Sequence, residues 1–271
     1  MSQQQELPEY TRPPVIEVVC GIQFEPIHNL LAPHLGLLWE KFRPEYPVCR
    51  EVAPLAPVIE KFGQEAPVAF QFSDVPPLPR VWFIREEGNG IVQVQRDRFL
   101  HNWKRVKDAD EYPRYTSVMA MFKDRLATFE AFLSENQFSK IKPRQYELTY
   151  VNHIPRAGRG SAAEGIGSVL PDFCWRALSD RFLPLPDSLN WRTSFPLADH
   201  RGRLHMTVRS GKRKQDDQEM ILLDLTARGI GESKSRNAMW EWFDLAHEWI
   251  VRGFTDVTGR EMHEKNWQRI R

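Results

Sequence analysis

His247-Glu248 is the opening of a His-Glu-x-x-His arrangement, in which two imidazoles four residues apart share a helix face, bind zinc and leave the glutamate as base. Trp249-Ile250-Val251 follows, so the second ligand is absent and His247 reads as a flank residue of a core-packing helix. His263-Glu264 fails in the same way, with Trp267 where the ligand should stand. The run from Arg156 to Gly167 is rich in glycine and follows a strand pattern, yet it lacks the Gly-Lys-Ser/Thr ending with which a phosphate loop holds its ligand. It reads as a flexible connector, with backbone anion binding as the functional alternative. No Gly-x-Ser-x-Gly and no close Cys–His pair is present, so acyl transfer has no support. No catalytic residue, metal ligand or cofactor is expected.

Binding chemistry has better candidates. Between Gln93 and Arg105, the cations Arg96, Arg98, Lys104 and Arg105 surround Phe99, His101 and Trp103, a mixture that could stack bases and neutralise phosphates from a sheet. The plainer alternative is a strand whose Phe99 and Trp103 pack inward while the cations are solvated opposite. Asn152-His153 ends another strand pattern just before the glycine-rich loop, where it could hold a ligand or tie down the returning chain. Arg156 and Arg159 add charge to that loop. Taken together, Arg96, Arg98, His101, Trp103, Lys104, Asn152, His153, Arg156 and Arg159 form the candidate binding set, suited to an acidic or phosphorylated partner. Lys212-Arg213-Lys214 could assist a nucleic acid. Glu17 and Glu147 sit among hydrophobic neighbours and need partners if buried, with the strands of Arg85, Arg96 or Arg209 as the expected sources.

Composition limits the classes available. The 271 residues carry 37 Lys+Arg against 36 Asp+Glu, so no global field draws the chain to nucleic acid or to an anionic membrane. Nine Trp and sixteen Phe supply large core side chains. Cys20, Cys49 and Cys174 are odd in number and widely spaced, as expected of reduced thiols in a cytoplasm. No run of about 18 apolar residues suggests a membrane span, and the expectation is a soluble cytoplasmic protein with no membrane partner.

The elements that must position these residues are legible as periodicities. After a polar arm at 1–14 ending in Pro13-Pro14, alternation predicts a strand from Val15, then a short helix over 30–43 closed by Pro44. Prolines break the stretch 51–80 into brief strands such as Val68–Phe72. Strands at 81–85 and 91–95 are joined through Glu87-Gly88-Asn89-Gly90, whose glycines supply the positive φ of a tight hairpin. Met119, Phe122, Leu126, Phe129 and Leu133 mark a helix over 115–137. The order then repeats: a strand at 146–154, a helix near 168–182, strands near 190–197, 203–210 and 220–227, and a helix over 236–254. That last helix has the stripe Met239, Trp242, Phe243, Ala246, Trp249, Ile250, Gly253 and Phe254. The segment 210–219 is too polar to be buried and is expected as a mobile hairpin loop.

Pro13-Pro14-Val15-Ile16-Glu17-Val18-Val19, the run Val92–Lys104, Tyr112-Pro113-Arg114-Tyr115, Glu147–Ile154, Ala246-His247-Glu248-Trp249-Ile250 and Phe254–Thr258 before Trp267 resemble, in this order, a family of sporadically distributed, uncharacterised bacterial proteins. The resemblance spans nearly the whole chain and implies no reaction, cofactor or partner. The expected fold is α+β in a duplicated two-layer arrangement, a first half at 15–140 and a second at 141–271. Each half is a curved antiparallel sheet covered by a long amphipathic helix, packed so that the two sheets adjoin or become continuous. The expected function is non-enzymatic recognition or an accessory role in a bacterial system, phage defence being one such system, with another protein as partner. Two alternatives stand beside it: nucleic-acid binding through 93–105, and a small-ligand protein or enzyme with a pocket between sheet and helix.

Overall fold

The structure is a computed structural model that describes residues 6–56, 58–60, 79–156, 166–173, 182–183, 186–213, 216–231 and 235–271. Its strands are β1 (Val15–Phe24), β2 (Val48–Val52), β3 (Arg80–Ile84), β4 (Gly90–Gln95), β5 (Arg98–Lys104), β6 (Pro143–Pro155), β7 (Asn190–Pro196), β8 (Gly202–Lys212) and β9 (Glu219–Gly229). The helices are α1 (Ala32–Phe42), α2 (Arg114–Glu135), α3 (Ile166–Val169) and α4 (Arg236–Val257). The expected strand Val68–Phe72, most of the 168–182 helix, the loop at 157–165 and Cys174 lie outside the described residues.

The class is α+β with a large antiparallel sheet, and of the two expected arrangements, sheets that adjoin or sheets that become continuous, a single continuous sheet is found. All nine strands form one sheet in the order β2-β3-β4-β5-β1-β6-β9-β8-β7. The opening strands of the two predicted halves, β1 and β6, are neighbours in that order. A strand left at an edge carries unpaired N–H and C=O groups, and continuing the sheet through both openers removes two such edges.

By compactness the chain divides into two discontinuous units. One comprises Glu17–Leu148 with Arg228–Phe243, and the other Met1–Ile16, Thr149–Ala227 and Asp244–Arg271. In the first, α2 buries Met119, Phe122, Leu126, Phe129 and Leu133, the five residues of its predicted stripe, together with Val118 and Phe132. Phe129 stacks on Phe99 of β5 with ring centroids 5.0 Å apart, and Cys20 of β1 places its sulfur 3.6 Å from that of Met119. Burial raises the pKa of the Cys20 thiol and keeps it protonated. The β3–β4 hairpin closes as predicted, with Gly88 at φ +78° and its N–H donating to Arg85 C=O.

In the second unit, β7 and β8 pair antiparallel and bury Leu204, Met206 and Val208 on alternate positions. Gly253 of α4 lies so close to this layer that a Cβ there would meet Leu204 at 3.0 Å. Of the predicted α4 stripe, Met239, Trp242, Phe243, Ala246, Ile250 and Phe254 are buried, while Trp249 and Gly253 are half-buried. The β8–β9 loop is shorter than expected, since β8 continues to Lys212 and β9 starts at Glu219. Among the described residues no helix is long and apolar enough to cross a membrane.

Candidate functional site

Side-chain alternation divides the 93–105 segment between the two faces of the sheet. Val92, Val94, Phe99, His101 and Trp103 occupy the face packed by α2, and Gln93, Gln95, Arg98 and Asn102 occupy the other. Both sets are buried: Arg98 is 8% exposed and Asn102 4%. The polar side chains form two rows that cross the strands.

The inner row is directional. Trp82 Nε1 and Arg80 Nη1 donate to Gln93 Oε1 at 2.9 and 3.0 Å, Gln93 Nε2 donates to Asn102 Oδ1 at 2.6 Å, and Asn102 Nδ2 donates to Glu17 Oε1 at 2.6 Å. Indole and guanidinium can only donate, so the Gln93 oxygen must face them, and its amide then fixes that of Asn102. The series begins at a cation and ends at a carboxylate, and every bond polarises the next in the same sense. Glu17 was expected to need a cation; it is met by a neutral amide instead. Glu147 is paired with Arg228, neither of them on a strand named as the source.

The outer row lies at one end of the strands: Gln95 of β4, Arg98 of β5, Gln23 of β1 and Gln145 of β6. Arg98 Nη2 donates to Gln23 Oε1 at 3.0 Å and to Ala56 C=O at 3.1 Å. Burial lowers the Arg98 pKa, while Asp97 and Glu147 act in the opposite direction.

On the helix-packed face, His101 is 1% exposed. Tyr46 places its hydroxyl 3.4 Å from His101 Nε2 and accepts from Arg125 Nε at 3.1 Å. With the arginine donating, the phenolic proton is free to point at Nε2, which assigns the Nδ1–H tautomer to His101 and leaves that nitrogen buried without a partner. Arg85 and Arg125 both lie 5.4 Å from the Tyr46 ring centre, and both pair with Glu45. Burial, with the charges of Arg125 and Arg85, pushes the His101 pKa down to about 3. It is neutral near pH 7 and too weak a base to accept a proton there.

The other candidates are placed as follows. Arg96 is half-buried with Nε 3.4 Å from Leu30 C=O, Trp103 is 6% exposed and packs near Tyr112, and Lys104 is exposed at the end of β5. Those residues, with Arg98 and His101, belong to the first unit. Asn152, His153 and Arg156 belong to the second. Asn152 Nδ2 donates to Leu223 C=O at 3.0 Å, His153 N–H donates to Pro14 C=O at 3.0 Å, and buried Arg156 pairs with Glu219 at 3.3 Å, a carboxylate shared with Lys212. Arg213 pairs with Asp216. Arg159 lies outside the described residues.

A further group was not singled out from the sequence. On β7 and β8 the residues opposite the buried layer are Asn190↔Arg209, Arg192↔Thr207, Ser194↔His205 and Pro196↔Arg203. Arg192 and Arg209 are exposed, and Arg203, His205 and Thr207 half-buried. Arg209 pairs with Asp224 while remaining 46% exposed. The signal was the strict alternation Arg203-Leu204-His205-Met206-Thr207-Val208-Arg209, with a polar residue at every odd position. Among the described residues, no cluster of three or more His, Cys, Asp or Glu could hold a metal ion. A scan against protein-family models and a search of curated proteins each give no match for this chain.

Proposed function

We propose that this protein is a non-enzymatic recognition or accessory protein that binds an acidic protein partner through the open face of β7 and β8. The observation that carries the reading is the charge exposed on that face: Arg192 and Arg209 stand on two paired strands and remain exposed, Arg209 while bonded to Asp224, with Arg203 and His205 at alternate positions of the same strand as Arg209. A sheet face built this way presents cations at fixed spacing without the entropy cost of ordering a loop. The buried state of Phe99 and Trp103 favours a protein over a nucleic acid, because the rings that would stack on bases face the core. We further propose that the two halves are copies of one strand-helix-meander-helix unit, that the chain is a cytoplasmic member of the sporadically distributed bacterial family it resembles, and that phage defence is its setting.

The test uses the full chain as bait for proteins of its native host, beside a variant carrying Arg192→Glu and Arg209→Glu. A partner retained at low salt, released as salt rises and lost with the variant supports the reading. Recovery of no partner, alongside turnover of a small molecule, rejects it; equal retention by the variant rejects this face.

A further inference from the structure

The outer polar row holds a piece of the chain's own backbone. Gln95 Oε1 accepts the N–H of Leu55 at 2.8 Å, and Gln95 Nε2 donates to the C=O of the same residue at 3.0 Å. Gln145 repeats the arrangement, accepting from Glu60 N–H at 2.8 Å and donating to Val58 C=O. Between them, Arg98 donates to Ala56 C=O. Each glutamine thus does with one side-chain amide what a neighbouring strand does with its peptide groups. The glutamines and Arg98 are buried, at 7%, 3% and 8% exposure, and two of them are held in place independently: Gln95 also donates to Asp97 and Arg98 to Gln23.

The geometry also fixes the shape of what is held. From β4 to β6 the sheet order runs through β5 and β1, three strand spacings or about 14 Å. Five residues separate Leu55 from Glu60 and reach about 17 Å when fully extended, whereas a helix of that length rises only about 7.5 Å. Leu55 and Glu60 therefore stand nearly as far apart as five residues can reach. Its sequence is Ala53-Pro54-Leu55-Ala56-Pro57-Val58-Ile59-Glu60, and prolines at this spacing cannot supply the regular N–H ladder of a strand. The five contacts use only N–H groups that exist, at 55 and 60, and carbonyls at 55, 56 and 58. Ala56 and Val58 are exposed, so the contacts read main chain and leave side chains unread.

We propose that Gln95, Arg98 and Gln145, with Gln23 as a positioning residue, form a main-chain binding row for an extended, proline-containing peptide, and that Leu55–Glu60 occupies it in cis. A partner segment of this kind binds by replacing the resident one. This site is separate from the β7–β8 face and does not depend on it.

The experiment uses the full chain with Leu55→Pro, which removes the N–H read by Gln95, and a fluorescent peptide of residues 53–60 supplied in trans. Hydrogen exchange follows release of the resident segment, and anisotropy follows the peptide. Faster exchange at the Glu60 N–H, with the peptide binding at least tenfold tighter than to the unsubstituted chain and lost again on adding Gln95→Leu and Gln145→Leu, is the expected result. Unchanged exchange overturns the proposal, because main-chain contacts would then not be what holds the segment. A released segment with no binding in trans overturns it equally. Glu60→Pro, which removes the N–H read by Gln145, is the second variant should Leu55→Pro not fold, with exchange then read at the Leu55 N–H and the peptide reading unchanged.

Discussion

The polar side chains of β4 and β5 and those of β7 and β8 follow the same period of two, yet the first set is buried and the second is exposed or half-buried. On β4 and β5 the residues are mostly amides, Gln93, Gln95 and Asn102, which both donate and accept and can satisfy one another or a peptide backbone. On β7 and β8 they are Arg192, Arg203, His205, Thr207 and Arg209, in which donors outnumber acceptors. A row of cations cannot close on itself, and Asp224 of the next strand answers Arg209. Burial of a polar strand face is decided by whether its donors and acceptors match, not by how polar it is.

The strongest way to break this contrast is to interrupt the inner row. Asn102→Ala leaves the Gln93 amide and the Glu17 carboxylate without their shared partner and should cost about 2–4 kcal/mol in urea unfolding, in line with orphaned buried polar groups. A loss below about 0.5 kcal/mol would mean that this face is solvated like the other.

Acid tests the neighbouring cluster. The folded-state pKa of His101 lies near 3, below the ordinary value of 6.5, so the unfolded chain binds one proton more between these limits. The stability linked to this group is fully present above pH 6.5 and is lost as pH falls toward the folded value, at about 1.4 kcal/mol per pH unit. His247, lowered to about 4 by burial, adds in the same direction. His101→Gln keeps an acceptor for Tyr46 and removes the titration, so its stability should fall less steeply between pH 6.5 and 4.5. An identical slope would reject the neutral buried imidazole.

Smaller effects follow at the margins of the two faces. Gln145→Ala removes both contacts to Val58 and Glu60 and should cost about 1–2 kcal/mol, measured by chemical denaturation. On the open face, Arg192→Glu should leave stability within about 0.5 kcal/mol while weakening capture of an acidic partner. A large loss of stability from this substitution would show that the open face is not open.

Much of this was readable in the residues. The stripe Met119, Phe122, Leu126, Phe129 and Leu133 has one geometric solution, and the α2 helix buries all five. Glu87-Gly88-Asn89-Gly90 demanded a hairpin because positive φ costs glycine nothing. Whether the two sheets adjoin or become one stayed open, because periodicity describes each strand and says nothing about which edges meet. Arg98 looked like a solvated cation, since its partners Gln23 and Ala56 are distant in sequence and a guanidinium's neighbours cannot be read from its own strand. The 55–60 segment lay in a stretch that prolines were expected to break into brief strands: the prolines were visible, but the side chains that hold it come from β4, β5 and β6.

The contacts at Leu55, Ala56, Val58 and Glu60 have a consequence for how this chain can change over generations. They touch only atoms that every amino acid has in common, apart from the N–H that proline lacks. Exposed Ala56 and Val58 are therefore free to drift to almost any residue, while Gln95 and Gln145 are held by two-sided amide geometry that neither glutamate nor lysine reproduces. Related chains should show a variable stretch facing two invariant glutamines, an inversion of the usual pattern in which a recognised sequence is the constant partner.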